Sequence, residues 1–366
     1  MSEAPRAPDA RVRARERSSR DGPCYAALDL GTNNCRLLIA TPSNSGFRVV
    51  EAYSRIVRLG EGLTQTGRLS EAAMERALAA LSVSAEKVKR RKVVKLRAVA
   101  TQACRSAENG EAFIQRVAQE TGLNLQIITP REEARLSVAG CVGLLDRGAE
   151  AALVVDVGGG STEMSWVDLS GEDVSGRTPP IKAWLSIPIG VVTLAERFPE
   201  GLTDTETWFR AMVETVKAEI AAFRRADPLK EIFQQDRAHL IGTSGAITSL
   251  AGMHLRLERY DRSRVDGIWM TRDECDAAAR LLLGLTPAER AQQACIGPDR
   301  ADLVLAGAAI LQAVQELWPC SRVRVADRGL REGVLMSLMS DHGGRRRRRR
   351  RGTRRSRKPE AARATA

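Results

Sequence analysis

Histidine is nearly missing from this chain: His239, His254 and His342 are the only three in 366 residues. A histidine-rich metal centre or a histidine-based triad therefore has almost nothing to draw on. Aromatics are sparse as well, at five Trp, six Phe and three Tyr, which leaves few rings for stacking a base. The seven cysteines, at positions 24, 35, 104, 141, 275, 295 and 320, include no Cys-Xaa-Xaa-Cys pair. That spacing argues against a zinc or dithiol site and for a reducing cytoplasm. No apolar run reaches the roughly 18 to 20 residues that would span a bilayer, so no membrane partner is expected. Met1 to Gly22 lacks the apolar segment of a secretory signal.

Charge of one sign is what the chain has in excess, and it is localised. Of the net +12, residues Arg345 to Ala366 carry +11 and Met1 to Gly22 carry +2, which leaves the body from Pro23 to Gly344 at −1. Seven consecutive arginines, Arg345 to Arg351, repel one another and offer no apolar surface. Residues 1–22 and 342–366 are therefore expected to be disordered, the second as an Arg-rich tail suited to polyanion or RNA contact. The body itself is electrically ordinary. Its length suits two domains, each with its own core.

Two short apolar strands run into Asp-Xaa-Gly turns: Tyr25-Ala-Ala-Leu-Asp29-Leu-Gly31-Thr32-Asn33-Asn34 and Ala152-Leu-Val-Val-Asp156-Val-Gly158-Gly159-Gly160-Ser161-Thr162-Glu163. A strand ending in glycines lets the backbone approach an anion with its amide hydrogens foremost, while the Asp can hold a divalent cation directly or through water. Two such hairpins facing one another make a phosphate clamp.

These loops resemble those of the sugar kinase, Hsp70 and actin superfamily. Within it, Asp156 to Glu163 is similar to the second phosphate loop of the exopolyphosphatase and guanosine pentaphosphate phosphohydrolase family. Ala100-Thr101 to Asn109, Glu132-Glu133-Ala-Arg135-Leu136 and Gly329-Leu-Arg331-Glu332-Gly333 match that family in order and spacing. Relatives usually carry Ser where Asn34 stands. The resemblance implies an α/β fold of duplicated ribonuclease H-like domains with an interdomain cleft. The first domain spans 23–136 plus a final helix at 334–341, and the second 137–333. It also implies the short, two-domain form of the family, which cleaves terminal phosphate from inorganic polyphosphate or from guanosine pentaphosphate with Mg²⁺ or another divalent cation. A homodimer is among the expected assemblies.

The strand and helix pattern agrees with such a plan. Strands are expected at Phe47 to Ile56, Val93 to Ala100, Leu125 to Thr129, around Leu153 and Ser165, and at Ala183 to Ile187 and His239 to Ile241. A helix capped by Ser70 carries the stripe Met74, Leu78, Leu81, Ala85 and Val88. Others are expected at Glu111 to Thr121, Pro130 to Leu145, after Thr203 and Thr271, and at Val334 to Ser340.

Hydrolysis of a phosphoanhydride needs an oriented water and positive charge or amide dipoles around the phosphoryl group. In Thr129-Pro130-Arg131-Glu132-Glu133, Thr129 reads as an N-cap and Glu132 as its capping-box partner, which leaves Glu133 without a local duty. The resemblance makes Glu133 the catalytic base. The bland alternative is that both glutamates serve the helix dipole. Asp29 and Asp156 are the candidate metal holders. Gly31, Thr32, Asn33, Asn34, Gly158, Gly159, Gly160, Ser161 and Thr162 form the candidate phosphate loops.

Glu163 would orient the metal or a water, or is simply a strand-edge carboxylate. Arg105 and Asn109 are phosphate-contact candidates, with an Arg105 ion pair to Glu108 or Glu111 as the alternative. Gly242, Ser244 and Gly245 offer amides at a helix start, or a tight packing turn. Arg331 touches substrate or pairs with Glu332. Polyphosphate is preferred over the nucleotide because no feature suggests a guanine pocket. A kinase of the same superfamily and a non-catalytic, RNA-associated polyanion sensor remain the competing classes.

Overall fold

The computed structural model describes residues 22–44, 46–171, 179–201 and 204–340. The arm expected to be disordered, Gly22 excepted, and the arginine tail lie outside the described residues.

Two sheets share one plan. The first contains Tyr25–Leu30 (β1), Asn34–Ser43 (β2), Gly46–Ile56 (β3), Lys95–Ala100 (β4) and Leu125–Ile127 (β5), in the order β3-β2-β1-β4-β5. The second contains Ala151–Val157 (β6), Thr162–Asp168 (β7), Ile181–Ile187 (β8), Ala238–Thr243 (β9), Trp269–Thr271 (β10) and Arg322–Ala326 (β11), in the order β10-β11-β9-β6-β7-β8. In each, three consecutive strands form an antiparallel meander, and parallel strands extend from its first member. β10 is an added antiparallel edge. The duplicated ribonuclease H-like architecture expected from the two loops is what these strands form.

Alternation along β1 shows why its residues are nearly all apolar. Ala26, Leu28 and Leu30 pack with Leu78 and Leu81 of the helix Glu71–Arg90, whereas Tyr25 and Ala27 pack on the opposite face with Leu335 and Leu338. A central strand covered on both faces has no polar side to show. Ser70 caps the Glu71–Arg90 helix, its hydroxyl accepting from Ala73 N at 3.3 Å. Met74, Leu78 and Leu81 are buried as the stripe predicts, and Ala85 and Val88 are half-buried. β2, β10, β11 and the helix Val304–Leu317 were not anticipated; that helix is buried on most sides, so its pattern lacks an amphipathic period. No helix among the described residues is long and apolar enough to cross a membrane.

Two helices join the halves. Pro130–Cys141 tightens into a short turn at Val142–Leu144 instead of running on to Leu145, and the boundary expected after residue 136 falls inside it. The last helix runs over 330–340, starting four residues earlier than expected. Glu332 brings its start forward, since its Oε2 accepts from Gly329 N at 2.9 Å. The two helices cross backbone to backbone. A Cβ at Gly140 would lie 1.9 Å from the Gly329 carbonyl oxygen, and one at Gly333 would lie 2.0 Å from that of Leu136.

Candidate active site

The two hairpin turns meet face to face. Gly31 N donates to Asn34 O at 2.8 Å in the first, and Gly158 N to Ser161 O at 2.9 Å in the second. The helix Val191–Arg197 fixes the second turn from behind, with Val191 N and Val192 N donating to the carbonyls of Gly158 and Gly159 at 2.9 and 2.8 Å. Side chains at Gly159 or Gly160 would collide with Thr32, since a Cβ there would lie 2.9 Å from Thr32 Cβ or 2.8 Å from its Oγ1. The amides of Thr32, Asn33, Gly159 and Gly160 donate to no protein acceptor among the described residues. Unspent N–H groups on two facing glycine turns form an anion cradle. They open onto a cavity of about 550 Å³ between the halves, which Gly31, Thr32, Asn33, Asn34, Gly158, Gly159, Gly160 and Ser161 all line.

Carboxylates crowd the same cavity. Asp29 and Asp156, each the last residue but one of β1 and β6, line it, as does Glu133. Burial pushes the Asp29 carboxyl up to about 6, partly offset by Arg36 and Arg331. Asp156 is raised by burial too, against the Ser137 hydroxyl, which donates to its Oδ2. Glu133 and Glu163 are a buried, interacting pair. Burial raises both, reinforced at Glu133 by Glu163 and at Glu163 by Asp156, so the pair holds a proton more readily than an exposed glutamate.

Glu163 lies behind the cavity wall, where its Oε1 accepts from Ser186 Oγ at 2.8 Å. Asp29 Oδ1, Asn33 Oδ1 and Asn34 Oδ1 are buried and have no hydrogen-bond partner among the described residues. Among the described residues no group of three or more His, Cys, Asp or Glu could hold a metal ion. These donors fit a hard divalent cation that keeps several waters and takes its remaining oxygens from substrate phosphate.

Glu133 and Glu132 part company as the helix start requires. Thr129 Oγ1 accepts from Glu132 N at 3.2 Å, but the Glu132 carboxylate turns outward to Arg97 instead of closing a capping box. Glu133 points inward. Arg105 Nη1 donates to its Oε2 at 3.1 Å and to the Ile128 carbonyl at 2.7 Å. Neither Glu108 nor Glu111 takes Arg105; Glu108 pairs with Arg68 at 2.9 Å. Arg105 thus holds the carboxylate expected to act as base.

Several expected contacts are spent elsewhere. Asn109 is not on the cavity: Leu69 N donates to its Oδ1 at 2.8 Å and its Nδ2 donates to Leu69 O at 3.0 Å, so both ends of its amide brace a loop. Thr162 is fully buried, its Oγ1 donating to Ile189 O at 2.7 Å. Gly242 lies inside β9 between Val155 and Val325, away from the cavity. Ser244 and Gly245 do line it, at the start of the helix Gly245–His254 that Ser244 caps. Arg331 does not pair with Glu332, which takes Arg262 at 3.2 Å and Gly329 N instead.

Sequence reasoning missed Arg36 and Arg300. Arg36, Arg300 and Arg331 line the cavity, and among the described residues no side-chain hydrogen bond or ion pair engages them. Strand register holds a signal for the first. Asp29 faces Arg36 across β1 and β2 as Asp156 faces Glu163 across β6 and β7, so the duplicated turns place one cation and one anion at equivalent positions.

The sequence profile of the Ppx/GppA phosphatase family matches residues 38–342. The chain is 30% identical over 331 residues to Exopolyphosphatase 2 of Mycobacterium tuberculosis, covering 86% of this chain and 98% of that one. The crystal structure of the Aquifex aeolicus Ppx/GppA family member is similar with a TM-score of 0.69 at 29% identity, over 87% of this chain and 98% of the other. An exopolyphosphatase from Cytophaga hutchinsonii gives a TM-score of 0.75 at 25% identity over the same shares.

Proposed function

The chain belongs to the Ppx/GppA phosphatase family and is a phosphoanhydride hydrolase, and from that premise we propose that it releases orthophosphate from the end of inorganic polyphosphate. The observation that carries this reading is the set of unspent amides on the facing turns beside the buried Glu133. The amides of Thr32, Asn33, Gly159 and Gly160 receive the terminal phosphoryl oxygens, with Arg36, Arg300 and Arg331 spreading positive charge along the following units. Water attacks the terminal phosphorus. Glu133, held by Arg105, accepts the proton of that water as the new O–P bond forms. The bridging P–O bond breaks, and the oxygen leaves on a chain one phosphate shorter. Asp29 and Asp156 would hold a divalent cation such as Mg²⁺, which neutralises charge between carboxylates and phosphates.

Guanosine pentaphosphate hydrolysis is the second reading. The cavity, at about 550 Å³, is roomier than a terminal phosphate needs, and Tyr260 stands on its wall. Phosphate release from long polyphosphate, guanosine pentaphosphate and ATP, measured side by side, separates these readings. Preferred turnover of polyphosphate is the expected result. Preferred turnover of the nucleotide overturns it, and release from none of the three overturns the enzymatic reading.

A further inference from the structure

The folded body is nearly neutral in sum but not in distribution. The stretch Lys87-Val-Lys-Arg-Arg-Lys-Val-Val-Lys-Leu-Arg97 holds seven cations and no acid. It covers the end of the Glu71–Arg90 helix, the turn after it and the start of β4. Three of its cations crowd one carboxylate: Glu51 on β3 accepts from Lys87 Nζ at 2.7 Å, Arg90 Nη2 at 2.7 Å and Arg91 Nε at 2.6 Å. Lys87 and Arg90 thus share one carboxylate, and Arg97 pairs with Glu132. Lys89 and Lys92 beside them are exposed, and Val94 is 57% exposed.

This surface lies at the far end of the first sheet from the cleft. β1 and β4 are paired in parallel from Tyr25↔Lys95 to Leu30↔Ala100. The cleft residues Asp29 and Thr101 lie at the later end, about 17 Å from the earlier one at the usual rise of a strand. Both exits of the chain point the same way. Val94 N donates to Cys24 O at 2.9 Å, so the described fold begins beside the basic stretch. The 330–340 helix starts in the cleft and, about 15 Å further on, places Met339 against the core that contains Tyr25 and Phe47. The described chain therefore ends, at Ser340, on this side of the molecule.

We propose that this cationic end is a docking surface for long inorganic polyphosphate, separate from the catalytic cleft. The inference rests on the polyphosphate reading of the cleft. A repeating anion without rings is what the surface fits. Tyr53, the ring beside Lys87, has one face covered by Lys87 Nζ, 5.6 Å from its centroid, and is partly packed on the core, which leaves little of it for stacking bases. The arginine tail cannot be the occupant, because like charge repels it. A long chain held here keeps its free end at high local concentration near the cleft, and a short one cannot span the gap.

The test uses the full chain carrying Lys89→Glu and Lys92→Asn. Asn is chosen at 92 because Lys92 has a φ of 48°, which Asn tolerates. Equilibrium binding of polyphosphate hundreds of units long, of tripolyphosphate and of a single-stranded RNA is measured across a salt series, with phosphate release measured in parallel. Expected is a loss of at least about threefold in affinity for long polyphosphate at low salt, a shallower dependence of log affinity on log salt, and unchanged kcat and tripolyphosphate turnover. Equal affinity and equal salt slope for variant and parent overturn the docking surface. Weakened RNA binding with intact polyphosphate binding overturns the assigned partner. Weakened polyphosphate binding in a protein that releases no phosphate supports the surface and overturns the catalytic reading alone.

Discussion

Glu132 and Glu133 are adjacent in sequence and have opposite surroundings, one paired with Arg97 near the surface and the other buried against Arg105. Glu133→Gln is expected to leave substrate binding nearly intact and to lower kcat on the order of a hundredfold or more, as loss of a general base does. Glu132→Gln should cost far less, and steady-state kinetics of both variants check this; equal, small effects would remove Glu133 from the role. The aspartates give a second prediction. Activity should vanish in excess chelator and fall sharply in Asp156→Ala, and full activity without divalent cations would refute it. Asp29 adds a dependence on pH. Its folded value of about 6 exceeds the ordinary 3.8, so the folded state binds this proton more tightly than the unfolded chain does. Without cation, the contribution of Asp29 to stability is therefore fully present below about pH 4 and is lost as pH rises through 6, by roughly 3 kcal/mol. A divalent cation should restore stability above pH 6, and Asp29→Asn should flatten the profile in denaturation measured with and without Mg²⁺.

At the scale of elements, the crossing of Pro130–Cys141 with the 330–340 helix ties the base to the last segment of the chain. Gly140, Gly329 and Gly333 leave no room for a side chain where the backbones meet. Gly333→Ala is expected to force the helices apart and to destabilise the protein by about 1–3 kcal/mol, the usual range for overpacking. Because Glu133 rides on one of these helices, kcat should fall as well, while circular dichroism keeps its helical content. Unchanged denaturation midpoints and kinetics would show that the crossing gives way at no cost.

For the whole molecule, the charge of the tail sets the expectation. Truncation after Gly344 removes +11. KM for long polyphosphate should rise at low salt, with kcat almost unchanged and little effect on guanosine pentaphosphate, which is too short to engage both tail and cleft. Identical KM values for full-length and truncated protein at low salt would exclude substrate tethering by the tail.

Much of this was legible before folding was considered. Asp29 and Asp156 with their glycine turns, the Thr129 cap and the Ser70 stripe are local patterns, and local patterns follow from backbone stereochemistry and side-chain periodicity. The duplication was readable because each copy carries its own turn. Tertiary structure decided which groups are spent and which are free. Asn109, Thr162 and Gly242 lie within motifs of the right composition, yet their polar groups or positions are taken by Leu69, Ile189 and the interior of β9. Arg36, Arg300 and Arg331 lie in separate segments and share the cavity only once the strands are paired. Glu51 gathers Lys87, Arg90 and Arg91 across 36 or more residues, turning a basic run into a charged surface. A hydrogen bond or an uncompensated charge depends on distances through space, which residue order alone does not contain.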